Sequence, residues 1–234
     1  MTNPFSAKTK PDCHICSAEC LLQELGDQHL IDELNKRKTI IRIKKNQIIF
    51  EEGDEVHDIM FIQSGVVKVF KPGILNRIQI VRFSSTGDIL GHRGLNTTHY
   101  PVSAIAVEDC IVCKYPRDYF LDLIKTNMNL AVRLMFFYAD ELTKSEIRER
   151  NLAQMNVRGK VADVLLSLKE KFGVDENKLL KIYLSRQDMA DYAGTTKEQV
   201  SKVLSEFNQE NIIAVDSKRI HILNPSQLSK LRSI

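Results

Sequence analysis

Several things are missing from this 234-residue chain, and each absence excludes something. No apolar run approaches the roughly 18–20 residues that a bilayer-spanning helix needs. The opening stretch, MTNPFSAKTK, has no apolar core after its first charge, so a secretory leader is not expected. There is no large charge of one sign: the net charge of +3 allows a nucleic-acid partner without demanding one. No nucleophile–base pair, phosphate-cradling glycine loop or supported carboxylate pair is present, which argues against an enzyme. The expectation is a cytoplasmic protein with no membrane association, in a compartment where thiols stay reduced. The five cysteines then belong to a metal, a cluster or a buried core rather than to disulfides.

What is present is ordinary in bulk and specific in pattern. Hydrophobic residues make up 43% and charged residues 27%, and the length accommodates more than one core. Residues 1–20 are polar and carry Cys13, Cys16 and Cys20, a C-x2-C-x3-C spacing that lets neighbouring thiolates converge on one metal centre. Leu21, Leu22, Leu25, Leu30, Ile31 and Leu34 predict a helix over 21–38, interrupted near Gly26. From 39 to 116 the period changes. TIIRI (39–43), QIIF (47–50), DIMFIQ (58–63), GVVKVF (65–70), RIQIVRF (77–83) and CIVCKY (110–115) read as short strands between glycine turns, a sandwich or barrel. Residues 117–150 contain no proline or glycine. Ile124, Met128, Ala131, Met135, Tyr138, Leu142 and Ser145 follow a 4-3 spacing there, a seam that most simply pairs with its twin.

Asn156 caps a further predicted helix, and LKIYLS is read as a short strand after it. The stretch SRQDMADYAGTTKEQVSKVLSEF (185–207) then gives two short helices hinged at Gly194. Ser185 caps the first and Thr195 the second, with Glu198 at the capping-box position. Val200, Val203, Leu204 and Phe207 make one buried stripe. Thr196, Lys197, Gln199, Ser201 and Lys202 are left towards the front, where a major groove would lie. NIIAV (211–215) and RIHIL (219–223) predict a hairpin, so the unit is a winged helix-turn-helix. Arg186, Lys218 and Arg219 join Thr195, Thr196, Lys197, Glu198, Gln199, Ser201 and Lys202 as candidate DNA contacts.

The fold class is α+β, ordered as a cysteine-bearing segment (1–20), a double-stranded β-roll (21–116), a dimerisation helix (117–150) and a winged helix-turn-helix (151–234). This order resembles the cyclic AMP receptor protein and fumarate–nitrate regulator (Crp–Fnr) superfamily of bacterial transcription factors. The resemblance rests on IIFEEGDEVHDIMFIQSGVVKVF (48–70), GDILG (87–91), NLAQMNVRGKVADVLLSL (151–168) and the helix-turn-helix. It implies a homodimer on a two-fold symmetric double-stranded DNA operator, with RNA polymerase as a further partner.

In the pocket the chain departs from the cyclic-AMP branch. That branch uses a glutamate after the opening glycine and an arginine before Ser/Thr-Ala. Here Gly91 is followed by His92 and Arg93, and Val102 stands before Ser103 and Ala104. Valine cannot pair with a phosphate, which argues against cyclic AMP. His92, Arg93 or His99 is left for some other anion, or the pocket is simply filled. The recognition helix leans to the oxygen-sensing branch, whose Glu-x-x-Ser-Arg is matched by Glu198, Ser201 and Lys202. A TTGAT-type half-site is implied, with lysine for arginine weakening discrimination at guanine.

That branch binds a 4Fe–4S cluster through three N-terminal cysteines and one at the end of the β-roll, which implies Cys13, Cys16, Cys20 and Cys113. Cys110 is three residues from Cys113 along a strand and faces the other way. The spacing differs from the well-known oxygen sensor, which has five residues rather than three between its second and third cysteines. A four-thiolate zinc site, His14 in place of one thiolate, a thiol redox switch, a haem, or cysteines with no metal remain other readings.

Overall fold

The computed structural model describes residues 12–26, 28–216 and 219–232. Contacts divide the chain into two compact units: residues up to Pro72 with Val81–Tyr138, and Gly73–Ile80 with residues from Ala139 onward.

In the first unit a single 3-10 turn, Gln23–Leu25, ends at Gly26 in the left-handed conformation, and α1 (Gln28–Arg37) follows. The expected 21–38 helix is therefore a turn plus a ten-residue helix, broken where glycine permits φ of 68°. Eight strands succeed it: β1 (Thr39–Ile43), β2 (Ile48–Phe50), β3 (Asp58–Ser64), β4 (Val67–Pro72), β5 (Ile78–Ser84), β6 (Ile89–Leu90), β7 (Ser103–Ala106) and β8 (Cys110–Pro116). They form two four-stranded sheets, ordered β1-β8-β3-β6 and β2-β7-β4-β5. The two strands without a prior expectation, β6 and β7, are short or built from Ser and Ala, too weak a pattern to announce themselves.

Strand β3 explains why DIMFI is apolar without alternation: it is buried on both faces. Met60 and Ile62 enter the core between the sheets, with Phe50, Val67, Val69 and Leu90. Ile59 and Phe61 point the other way, into a second core with Leu30, Leu34, Phe120, Leu130 and Leu134. That second core is closed by α1, by α2 (Arg117–Thr126) and by the start of α3 (Met128–Gln154). The single helix expected over 117–150 is thus two helices. Asn127 adopts an extended conformation and its Oδ1 accepts the Leu130 N–H at 2.9 Å, capping α3.

In the second unit α4 (Val157–Phe172) is capped by Asn156, whose side chain accepts the Gly159 N–H. LKIYLS forms no strand; Leu179 and Leu180 make only isolated bridges, to His221 and Val174. Helices α5 (Arg186–Ala193) and α6 (Lys197–Gln209) follow, then the hairpin β9 (Ile213–Asp216) and β10 (Arg219–Ile222), and α7 (Pro225–Arg232). At Gly159 a Cβ would stand 3.0 Å from the Leu231 carbonyl, so this glycine permits the close approach of α7 to α4. No helix among the described residues is long and apolar enough to cross a membrane.

Candidate functional site

The helix-turn-helix is built as its sequence suggests, with one shift. Ser185 caps α5 by accepting the Asp188 N–H, and Met189, Ala190 and Ala193 are buried. Gly194 takes φ 63° and turns the chain. The cap of α6 is Thr196, not Thr195: Thr196 accepts the Gln199 N–H, and Thr195 donates to Gln199 Oε1 at 2.9 Å. Val200, Val203, Leu204 and Phe207 are buried as expected, leaving Lys197, Glu198, Gln199, Ser201 and Lys202 exposed. Glu198 turns back to the helix start; hydrogen bonds from its own N–H and from Thr196 hold its carboxyl below the usual range. The Ser201 hydroxyl donates to the Lys197 carbonyl at 2.8 Å.

Arg186 is half-buried beside Met189. Arg219 pairs with Asp175 at 2.6 Å, so its guanidinium is tied to the body of the unit; Lys218 lies outside the described residues. Two further arginines have no sequence pattern to mark them. Arg158 of α4 holds α6 through Glu206 and Glu210, at 2.5 and 2.8 Å, and lies over the Phe207 ring. Arg148 stacks on Tyr192, 3.8 Å from the ring centroid, and donates to the Tyr192 carbonyl, fixing the end of α5.

In the β-roll, four of the expected effector-pocket residues, Gly91, His92, Arg93 and Val102, line one pocket with Phe50, Val69, Arg82, Leu90, Tyr100 and Pro101. Much of it is filled by the protein itself. Phe50 and Tyr100 stack at 4.1 Å, and Val102 and Ser103 are buried. The Ser103 hydroxyl accepts the Glu52 N–H. His92 is buried edge-on against Phe137 and Tyr138. Burial, and then the nearby Arg82 and Arg93, push its pKa down to about 2. Tyr138, assigned to the seam by its spacing, sends its hydroxyl back to the His92 carbonyl at 2.7 Å.

The cysteines divide as expected. Cys110 lies in the core between the sheets, its thiol donating to the Val66 and Glu108 carbonyls. Cys113 faces the opposite core. There Cys13, Cys16, Cys20 and Cys113 line one pocket with Ala18, Gln23, Lys38, Phe61, Ile62, Gln63 and Tyr115. Lys38, only 4% exposed, donates to Cys13 Sγ at 3.1 Å and to Asn35 Oδ1 at 2.7 Å. Burial pushes Cys113 up to about 12 and raises Cys20, so a metal would have to displace a proton at each. Four thiols with no carboxylate among the lining residues form a soft donor set, suited to iron–sulfur or zinc rather than to calcium or magnesium. Among the described residues no three His, Cys, Asp or Glu side chains come together to hold a single metal ion.

A two-sheet roll, a long helix with an apolar outer side and a capped helix-turn-helix with a polar front define a DNA-binding transcription regulator. The cyclic nucleotide-binding domain model matches residues 40–127, and the Crp-like helix-turn-helix domain model matches 159–231. The chain belongs to the Crp–Fnr superfamily. It is 29% identical over 232 residues to the transcriptional activator protein Anr of Pseudomonas protegens, covering 96% of this chain and 94% of that protein. It is 28% identical to the fumarate and nitrate reduction regulatory protein of Escherichia coli, covering 94% and 88%. The fold matches FixK2 from Bradyrhizobium japonicum with a TM-score of 0.75, 24% identity and 83% and 96% coverage. It matches a CooA variant from Carboxydothermus hydrogenoformans with a TM-score of 0.75, 19% identity and 91% and 95% coverage. The Pseudomonas and Escherichia relatives are named as an activator and a regulatory protein, not as enzymes.

Proposed function

We propose that this regulator responds to oxygen or nitric oxide through a 4Fe–4S cluster held by Cys13, Cys16, Cys20 and Cys113, and works in the cytoplasm as a homodimer on a palindromic operator. The observation that carries this reading is one pocket lined by the thiols of Cys13, Cys16 and Cys20 and by that of the distant Cys113, from which Cys110 is turned away. The names of the Anr and fumarate–nitrate relatives support it.

A bound cluster would supply an oxygen-labile tie between the N-terminal loop and β8. The chain's own residues give that tie a route to the dimer. Cys113 packs in the same core as Leu130 and Leu134 of α3. The opposite side of α3 exposes Met128, Met135 and Leu142, at 75%, 58% and 61%, together with Val132 and Phe136. Such an apolar stripe suits a second copy of the helix. Repacking around Cys113 therefore shifts the residues behind the stripe, a local event biasing a two-state interface. At the operator Glu198 would accept from a cytosine amino group and Lys202 would donate to guanine. RNA polymerase would be the downstream partner.

The test is protein purified without oxygen. About four iron and four sulfide per subunit, bleaching in air with loss of dimer and of palindrome binding, is the expected result. Colourless protein that still binds the palindrome would overturn the cluster and leave the DNA-binding class intact. Binding should weaken steeply with salt, because phosphate contacts release counterions. Glu198→Ala should relax preference at one base pair by about 1–3 kcal/mol. Equal weakening on every sequence would restrict Glu198 to its contact with Thr196.

A further inference from the structure

The cysteine loop is anchored by side chains that ligate nothing. Gln23 Nε2 donates to the carbonyls of Cys13 and Cys16, at 2.7 and 2.8 Å. Its Oε1 accepts the Cys20 N–H at 3.3 Å. One amide thus touches the backbone of all three cysteines and uses both of its donors and its acceptor. Asn35 Oδ1 takes the Cys13 N–H at 2.9 Å and the Lys38 ammonium at 2.7 Å. Behind the loop, Gly87 has φ +89°, and a Cβ there would stand 2.5 Å from the Ala18 carbonyl, so the backbone of the loop is seated directly on a turn of the roll.

The loop fixed by Gln23 presents its three thiols to the pocket that Cys113 also lines. We infer that Gln23 is the positioning residue of the thiol set: it shapes the loop with three residues between Cys16 and Cys20 before any metal arrives. This inference rests on the cluster reading for the identity of the metal group, but the clamp itself is tested on metal-free protein. Replacing the amide with glutamate removes both donors and sets a carboxylate against two carbonyls. Replacing it with methionine keeps the length and removes all three bonds.

The experiment uses the full chain, metal-free and reduced, as wild type, Gln23→Met and Gln23→Glu. Alkylation by iodoacetamide is followed at each cysteine under native conditions. Cys13, Cys16 and Cys20 should react at least about tenfold faster in both variants, since each lost hydrogen bond had opposed opening of the loop, while Cys113 on its strand keeps its rate. Equal rates at the three loop cysteines would overturn the clamp. Circular dichroism reports folding, and if Gln23→Glu fails to fold, Gln23→Met carries the readout. Wild type that accepts no iron and sulfide, yet is alkylated more slowly than Gln23→Met, would remove the cluster and keep the clamp. Wild type that accepts them, with equal alkylation in all three proteins, would do the reverse.

Discussion

Two concavities among the described residues of the β-roll solve opposite problems. The one around His92 is closed from within: Phe50 stacks on Tyr100, Val102 is buried, and His92 is held neutral against Phe137 and Tyr138. The other, on the far side of the first sheet, is lined with thiols whose supports are polar, namely Gln23, Asn35 and Lys38. A buried amide or ammonium is costly unless its bonds are met, and here they are met by the cysteine loop. The comparison teaches that matching a cyclic nucleotide-binding domain locates a fold, while the side chains decide which hollow has donors to offer.

The comparison breaks most sharply at Cys113. Cys113→Ala should remove nearly all iron, sulfide and visible absorbance from anaerobic protein, whereas Cys110→Ala should keep them and lose only stability. Wild-type iron content and DNA affinity in Cys113→Ala would sink the assignment of that strand residue. A smaller effect is expected at His92. In the folded chain its imidazole stays neutral down to about pH 2, while the unfolded chain takes up a proton near 6.5. Stability is therefore complete above pH 6.5 and falls as pH is lowered towards 2, at up to about 1.4 kcal/mol per pH unit. His92→Phe should flatten that part of a denaturation series; an unchanged slope would assign it to other groups. The smallest effect is the sharpest for the filled pocket. Millimolar cyclic AMP should leave the melting temperature where it was, because only a ligand that binds the native state raises it. A clear rise would show that the pocket opens and that Val102 does not forbid a phosphate.

Much of the fold is legible in the chain because its elements obey strong local rules. The strands TIIRI and CIVCKY pair in register, Ile40 opposite Cys113. Alternation along β8 also separates Cys110 from Cys113 correctly. The break at Asn127 escapes because no Pro or Gly marks it, although an asparagine three residues before Leu130 is a cap in waiting. The cap of α6 falls one residue late because Thr195 and Thr196 are equivalent by type, and only geometry chooses between them. The supports of the thiol pocket are harder still. Gln23, Asn35 and Lys38 sit in a segment whose apolar period accounts for its helix, and long polar side chains there read as solvent-facing. Arg82, beside His92, is likewise one more charge on an exposed-looking strand until the sheets close around it.

Strand β8 lies between β1 and β3, and Cys113 stands opposite Ile40 on one side and Phe61 on the other. Moving that thiol along the strand would mean slipping two hydrogen-bonded ladders at once and turning every neighbouring side chain to the wrong face. The clasp therefore has one jaw built into the sheet and one held by single side chains, Gln23 and Asn35. A group gripped between them would, on leaving, free the loop before the strand, because the ladders on both sides of β8 would still be paired.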